Sequence, residues 1–156
     1  MGNPNRGKDF EQKIRESLER VCGVSLDRMP DPTNGYMGVR NICDFMVYKY
    51  PFQYYFECKC THETTLHFSY IRDNQWNGLM KKNEIDGVVA GIIVWFILYD
   101  RTIFVPIWKL QNMKIQGMKS IRYDINEPNI YDIFGKKQRI YYDYDMEKLF
   151  EDLMGD

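Results

Sequence analysis

Asp44 and the tripeptide Glu57-Cys58-Lys59 stand thirteen residues apart, each inside a run rich in aromatic and β-branched residues. On a strand successive side chains point to opposite faces, so Tyr55, Glu57 and Lys59 share one face and Cys58 and Cys60 the other. If the two runs pair as a hairpin, two acids and a lysine converge. Two carboxylates a few ångströms apart repel unless a cation compensates them. Hard divalent ions such as Mg²⁺ bind through one or two carboxylates plus substrate phosphate oxygens. The chemistry that such a set suits is phosphodiester hydrolysis: the metal polarises the phosphate and acidifies a water, and the lysine orients that water or offsets developing negative charge.

The elements that must position these residues can be read from the pattern. Phe10, Ile14, Leu18 and Val21 recur at helical spacing among charged residues, which predicts an amphipathic helix over 8–22 that stops at Gly23. Residues 29–38 hold two prolines, an Asn-Gly and a further glycine, and read as loop. The runs 41–50 and 52–61, separated by Pro51, read as an antiparallel hairpin. A second helix is expected over 69–84 with Ser69 as its cap. Next comes a strand from Gly87 to Tyr99, apolar enough to be buried on both faces, with 102–107 as its hairpin partner. Residues 146–154 read as a terminal helix, and the stretch before it as irregular. The pattern predicts an α/β or α+β fold built on a central mixed sheet flanked by helices, with residues 1–156 forming a single domain.

Composition sets outer limits. The chain has 156 residues, 44% hydrophobic and 28% charged, the balance of an ordinary globular protein rather than a disordered one. Its longest apolar run, 87–99, is too short for a membrane-spanning helix, which needs about 20 residues. The N-terminus lacks the apolar core of a signal peptide, and the four unevenly spaced cysteines fit reduced thiols, so a cytoplasmic location is expected. The formal charge is −1, but six acids against one base fall between residues 140 and 156, which leaves the rest with a positive excess of four. That excess is compatible with a phosphate backbone as partner without demanding one.

With these residues in view, the chain resembles a known family. Asp44, Glu57 and Lys59 match the Asp…(Asp/Glu)-x-Lys signature of the restriction-endonuclease-like nucleases, with Glu11 on the first helix as a fourth member. Asn5-Arg6-Gly7-Lys8-Asp9-Phe10-Glu11 resembles the helix start of RecU-type Holliday junction resolvases. In order along the chain, Thr61, Phe68, Gln75 and Leu79, then 87–110, Lys119-Ser120-Ile121-Arg122 and Arg139-Ile140 extend the likeness over most of the sequence. The resemblance implies a restriction-endonuclease-like core of order α-βββ-α-β. It further implies a Mg²⁺-dependent endonuclease, with Mn²⁺ as the alternative ion, that resolves four-way DNA junctions by paired symmetric nicks in recombination or repair. Asp44, Glu57, the Cys58 carbonyl and Glu11 would then hold metal, Lys59 would position the attacking water, Gln75 would assist, and Arg6 and Lys8 would hold DNA. Paired nicking of a two-fold junction implies a homodimer, with the exposed side of 92–98 or the first helix as its interface. The interval from Glu11 to Asp44 is shorter than in the bacterial enzymes, without their long stalk insertion, as in a compact phage or mobile-element version.

Each feature has a plainer reading. Asp44, Glu57 and Lys59 alone could form an exposed cross-strand salt bridge, Glu11 a solvated first-turn acid, and Arg6 and Lys8 solvated charges. Asp31, in the literal Pro30-Asp31, sits in a loop where aspartate makes Asx-turns, so Asp44 is the better motif acid. Cys58-x-Cys60-x-His62 with His67 suggests zinc, but the spacing is wrong for a structural site. The rival functions are a same-fold nuclease for other branched or linear DNA and a junction-binding protein that does not cut.

Overall fold

The structure is a computed structural model and describes residues 6–29, 41–138 and 141–155. The Pro30-Asp31 loop, Asn5 and Arg139-Ile140 lie outside the described residues.

Helix α1 (Arg6–Glu19) buries Phe10, Ile14 and Leu18 on one stripe. It ends three residues earlier than its apolar spacing predicts, because the Val21 N–H bonds back to the Leu18 carbonyl at 3.1 Å and the chain turns through Gly23 at φ +75°. Strand β1 (Val24–Arg28) follows. The predicted hairpin forms as β2 (Phe45–Lys49) and β3 (Phe52–Thr61), so residues 41–44 lead into the strand rather than belonging to it. The short β4 (Thr65–His67) and a 3₁₀ turn over Phe68–Tyr70 precede α2 (Asp73–Asn83). Ser69 is therefore not the helix cap. It lies in the 3₁₀ turn with its hydroxyl 3.0 Å from His67 Nδ1, and Arg72, in extended conformation, occupies the capping position.

Strand β5 (Val88–Phe96), a 3₁₀ turn over Ile97–Tyr99 and β6 (Arg101–Pro106) make the second hairpin. The region expected to be irregular holds α3 (Ile107–Ile115), β7 (Ser120–Arg122), β8 (Tyr131–Asp132), β9 (Gly135–Gln138) and β10 (Tyr141–Tyr144). Helix α4 (Met146–Met154) matches its expected bounds, with Asp145 capping it by accepting from the Lys148 N–H.

Six strands form one mixed sheet in the order β1-β2-β3-β5-β6-β8. All pairs are antiparallel except β3 with β5. Two consecutive parallel strands need a crossover, and α2 supplies it. The small ribbons β4–β7 and β9–β10 lie outside this sheet. One face packs Phe45, Phe56 and Trp95 against α1 and α4, and the other packs Ile92 and Val94 against α2 and α3. Residues Ile92 to Phe96 are buried throughout, so this strand has no exposed side to offer a second subunit; Leu98 and Tyr99, in the turn beyond it, are exposed. None of the described helices is long and apolar enough to cross a membrane.

Candidate active site

The β2–β3 register pairs Phe45 with Phe56, and one step further brings Asp44 opposite Glu57. The ladder continues through that step: the Asp44 N–H donates to the Phe56 carbonyl at 3.1 Å, and the Cys58 N–H donates to Asp44 Oδ2 at 2.8 Å. On the other side the Met29 N–H donates to the Asp44 carbonyl at 2.8 Å, so Asp44 is fixed by three bonds to two backbone segments, β3 and the residue after β1. Strand alternation turns Glu57 and Lys59 towards α2 and leaves Cys58 and Cys60 against the α1 core.

Glu57 is 4% exposed. Its Oε2 accepts from Lys59 Nζ at 3.1 Å and from Gln75 Nε2 at 2.9 Å, while Oε1 is buried without a hydrogen-bond partner. Gln75 cannot turn over freely, because its Oε1 accepts the Arg72 N–H at 3.2 Å. Helix α2 reaches this position through Gly78, where a Cβ would stand 2.8 Å from Ile42 Cβ, and through Asn74 Nδ2, which donates to the Asn41 carbonyl at 3.1 Å. Both contacts fall on the short lead-in to Asp44, so the segment that carries one acid is braced by the helix that holds the other.

Burial and the facing Glu57 charge push the Asp44 carboxyl up to about 7, against the pull of the Cys58 N–H and Lys59. Glu57 is also raised, chiefly by burial, with Lys59 opposing. The same negative field lifts the neighbouring thiols: burial and the two acids push Cys43 up to about 12 and raise Cys58. An acid pair of which Glu57 is buried and Asp44 half-buried, with one Lys59 ammonium beside it, is short of positive charge, and Glu57 Oε1, without a hydrogen-bond partner, is a hard oxygen ligand open to a cation. This donor set fits Mg²⁺ or Mn²⁺, which take oxygen ligands and complete their shells with water and phosphate.

Of the other residues expected at the site, Glu11 enters from the α1 side and accepts from Arg28 Nε at 3.1 Å. Among the described residues no group of three or more His, Cys, Asp or Glu is placed to hold a metal ion, so Glu11 does not join Asp44 and Glu57 in a three-carboxylate cluster. Arg6 belongs to α1 rather than to a loose terminus, with its guanidinium 5.7 Å from the centre of the Trp95 ring. Lys8 lines a small cleft beside Glu11, Arg15, Arg28 and Phe45. Cys58 and Cys60 pack on the α1 side, whereas His67 lies in a cleft beside α2, so the four zinc candidates do not converge. Arg28 was not foreseen as part of this region. Its signal, an apolar-polar alternation from Val24 to Arg28, is only five residues long.

Comparison with known proteins decides the family. The sequence model of the RecU family, described as Recombination protein U, matches residues 5–146. The chain belongs to the RecU family. As a member it is a nuclease of the class that resolves Holliday junctions in recombination. No curated protein matches it. Among solved structures it is similar to Hjc, a Holliday junction resolvase of the archaeal hyperthermophile Archaeoglobus fulgidus, at 16% identity and a TM-score of 0.48, over 66% of this chain and 74% of that one.

Proposed function

We propose that this RecU-family chain nicks four-way DNA junctions at a divalent-metal site held by Asp44, Glu57 and the Cys58 carbonyl, with Glu11, which stands outside that cluster, reaching the ion only through water. The observation that carries the reading is the buried Glu57 carboxylate, fixed through Oε2 by Lys59 and Gln75 and open at Oε1. Mg²⁺ is the ion proposed, with Mn²⁺ as substitute. When bound, the ion polarises the scissile phosphate and brings the pKa of a water towards neutrality.

The chain's own residues supply the rest. Lys59, held at 3.1 Å from Glu57, is within reach of a water at the site, orients it and offsets the charge that accumulates on the phosphate oxygens. Gln75 positions Glu57 without touching substrate. Arg6 and Lys8 contact the DNA backbone, and Arg28 orients Glu11. Symmetric nicks on a two-fold junction call for a homodimer, and the cytoplasm is the proposed location.

The test is cleavage of a synthetic mobile four-way junction beside a linear duplex of the same sequence, in Mg²⁺ and in EDTA, with nick positions mapped on all four strands. Paired nicks confined to the junction, present only with metal, are expected. Equal cutting of the duplex would replace the reading with a general nuclease, and binding without any cutting would make the site structural.

A further inference from the structure

A group of cations lines a cleft at the start of α2, the helix that carries Gln75. The 3₁₀ turn and the start of α2 form one wall of a cleft, and the end of α3 with the turn at Gly117 forms the other. The β4–β7 ribbon ties the walls together: His67 pairs with Ser120, and the Phe68 N–H donates to the Lys119 carbonyl at 2.9 Å. Arg72, Lys114 and Lys119 line the cleft, with Asp73 as its one carboxylate, and all three cations are exposed. Among the described residues no carboxylate lies within ion-pair distance of any of the three.

Lys114 is held at the cleft. Its Nζ stands 4.8 Å from the centre of the Trp76 ring, and that ring is in turn fixed by its Nε1, which donates to Gln111 Oε1 at 2.6 Å. An ammonium resting on an indole face still has N–H donors directed away from the ring to offer an anion. The Trp76 and Phe68 rings are themselves buried, so the cleft offers charge rather than a stacking platform.

We propose that this cleft holds the phosphate backbone of the junction strand next to the cut, with Arg72, Lys114 and Lys119 as its contacts. The inference rests on the active-site reading above. The link between the two is direct: the Arg72 N–H binds Gln75 Oε1, and Gln75 Nε2 binds Glu57. Arg72 and Gln75 are less than one helical turn apart, about 5 Å. The Arg72 end of the cleft is thus joined to the acid pair through Gln75.

The test measures binding of a four-way junction in EDTA across a salt series, for the full chain and for the Arg72→Gln/Lys114→Gln/Lys119→Gln variant. Lys81→Gln, at the opposite end of α2, is the control. The slope of log affinity against log salt should fall by about 1 per lost contact, so about 3 for the triple variant, and be unchanged for the control. Independently, junction DNA should protect Lys114 and Lys119, but not Lys81, from chemical acetylation of the unmutated protein. An unchanged slope, or equal acetylation with and without DNA, overturns the proposal. Cleavage is scored separately in Mg²⁺. Binding with the expected slope but no cutting would remove the active-site reading and leave the cleft standing, cutting with an unchanged slope would do the reverse, and no DNA binding at all would remove both.

Discussion

Gln75 and Glu57, eighteen residues apart in sequence, are joined by a 2.9 Å hydrogen bond that uses one oxygen of the carboxylate and leaves the other, Oε1, buried without a partner. The bond orients the acid without satisfying it. A buried acceptor left open is costly, of the order of 1–3 kcal/mol, and a bound cation would relieve that cost.

Loss of the Gln75 contact should therefore weaken metal binding more than folding. Gln75→Ala is expected to lower Mg²⁺ or Mn²⁺ affinity and junction cleavage roughly 10- to 100-fold, the usual effect of removing a group that orients a ligand. Calorimetric titration with Mn²⁺ checks the first and cleavage rates the second. Full affinity in Gln75→Ala would show that the bond is incidental.

The Asp44 shift sets a pH dependence with a definite sign. Its carboxyl lies near 7 in the folded protein against 3.8 ordinarily, so between these values the folded state binds the extra proton. Stability of the metal-free protein must then fall as pH rises from about 4 to 7, by an order of 2–4 kcal/mol at most, at 1.36 kcal/mol per unit. Asp44→Asn should reduce that fall, leaving the part that belongs to the raised Glu57, and be the more stable protein at pH 8 in EDTA, as read by denaturant melts. A profile identical to that of the unmutated chain would contradict the shift.

Lys59→Met is expected to keep the fold, because the side chain is partly exposed, and to reduce cleavage by about 10²–10³, the scale for losing one preorganised charge-stabilising donor. Single-turnover cleavage under saturating protein isolates this step from binding. Junction affinity in EDTA should change little.

Gly78 tests the bracing of the site. An added Cβ meets Ile42 Cβ at 2.8 Å, two residues before Asp44, so Gly78→Ala must push α2 away from the Asp44 segment and stretch the Gln75–Glu57 bond. Glycine to alanine inside a helix ordinarily gains about 1 kcal/mol. Here the melting temperature should fall instead, and metal affinity with it.

The contrast between sequence and structure follows from what is local. Alternation along β3 separates Glu57 and Lys59 from Cys58 and Cys60, and a short hairpin connection sets the register that brings Asp44 opposite Glu57, so the acid pair was legible. Strand β1 was not: five residues, mostly polar and half exposed, carry too little alternation to stand out, and with it went the Arg28 partner of Glu11. Helix α3 buries only Ile107, Leu110 and Met113, a narrow stripe that follows the strand residue Pro106 without a loop, so it read as irregular. The cleft beside α2 depends on the β4–β7 pairing of segments more than fifty residues apart, which no local pattern reports. The break at Ile71 and Arg72 was hidden because the apolar spacing runs on through the 3₁₀ turn into α2.

The most direct measurement is a paired assay of Asp44→Asn and the unmutated protein on one four-way junction, scoring binding in EDTA and strand cleavage in Mg²⁺ on the same preparations. The account predicts that both proteins bind the junction with similar affinity and that only the unmutated one cuts it, with loss of at least two orders of magnitude in the variant. Cleavage by Asp44→Asn at near the unmutated rate would contradict it, because the chemistry would then lie somewhere other than the Asp44–Glu57 pair.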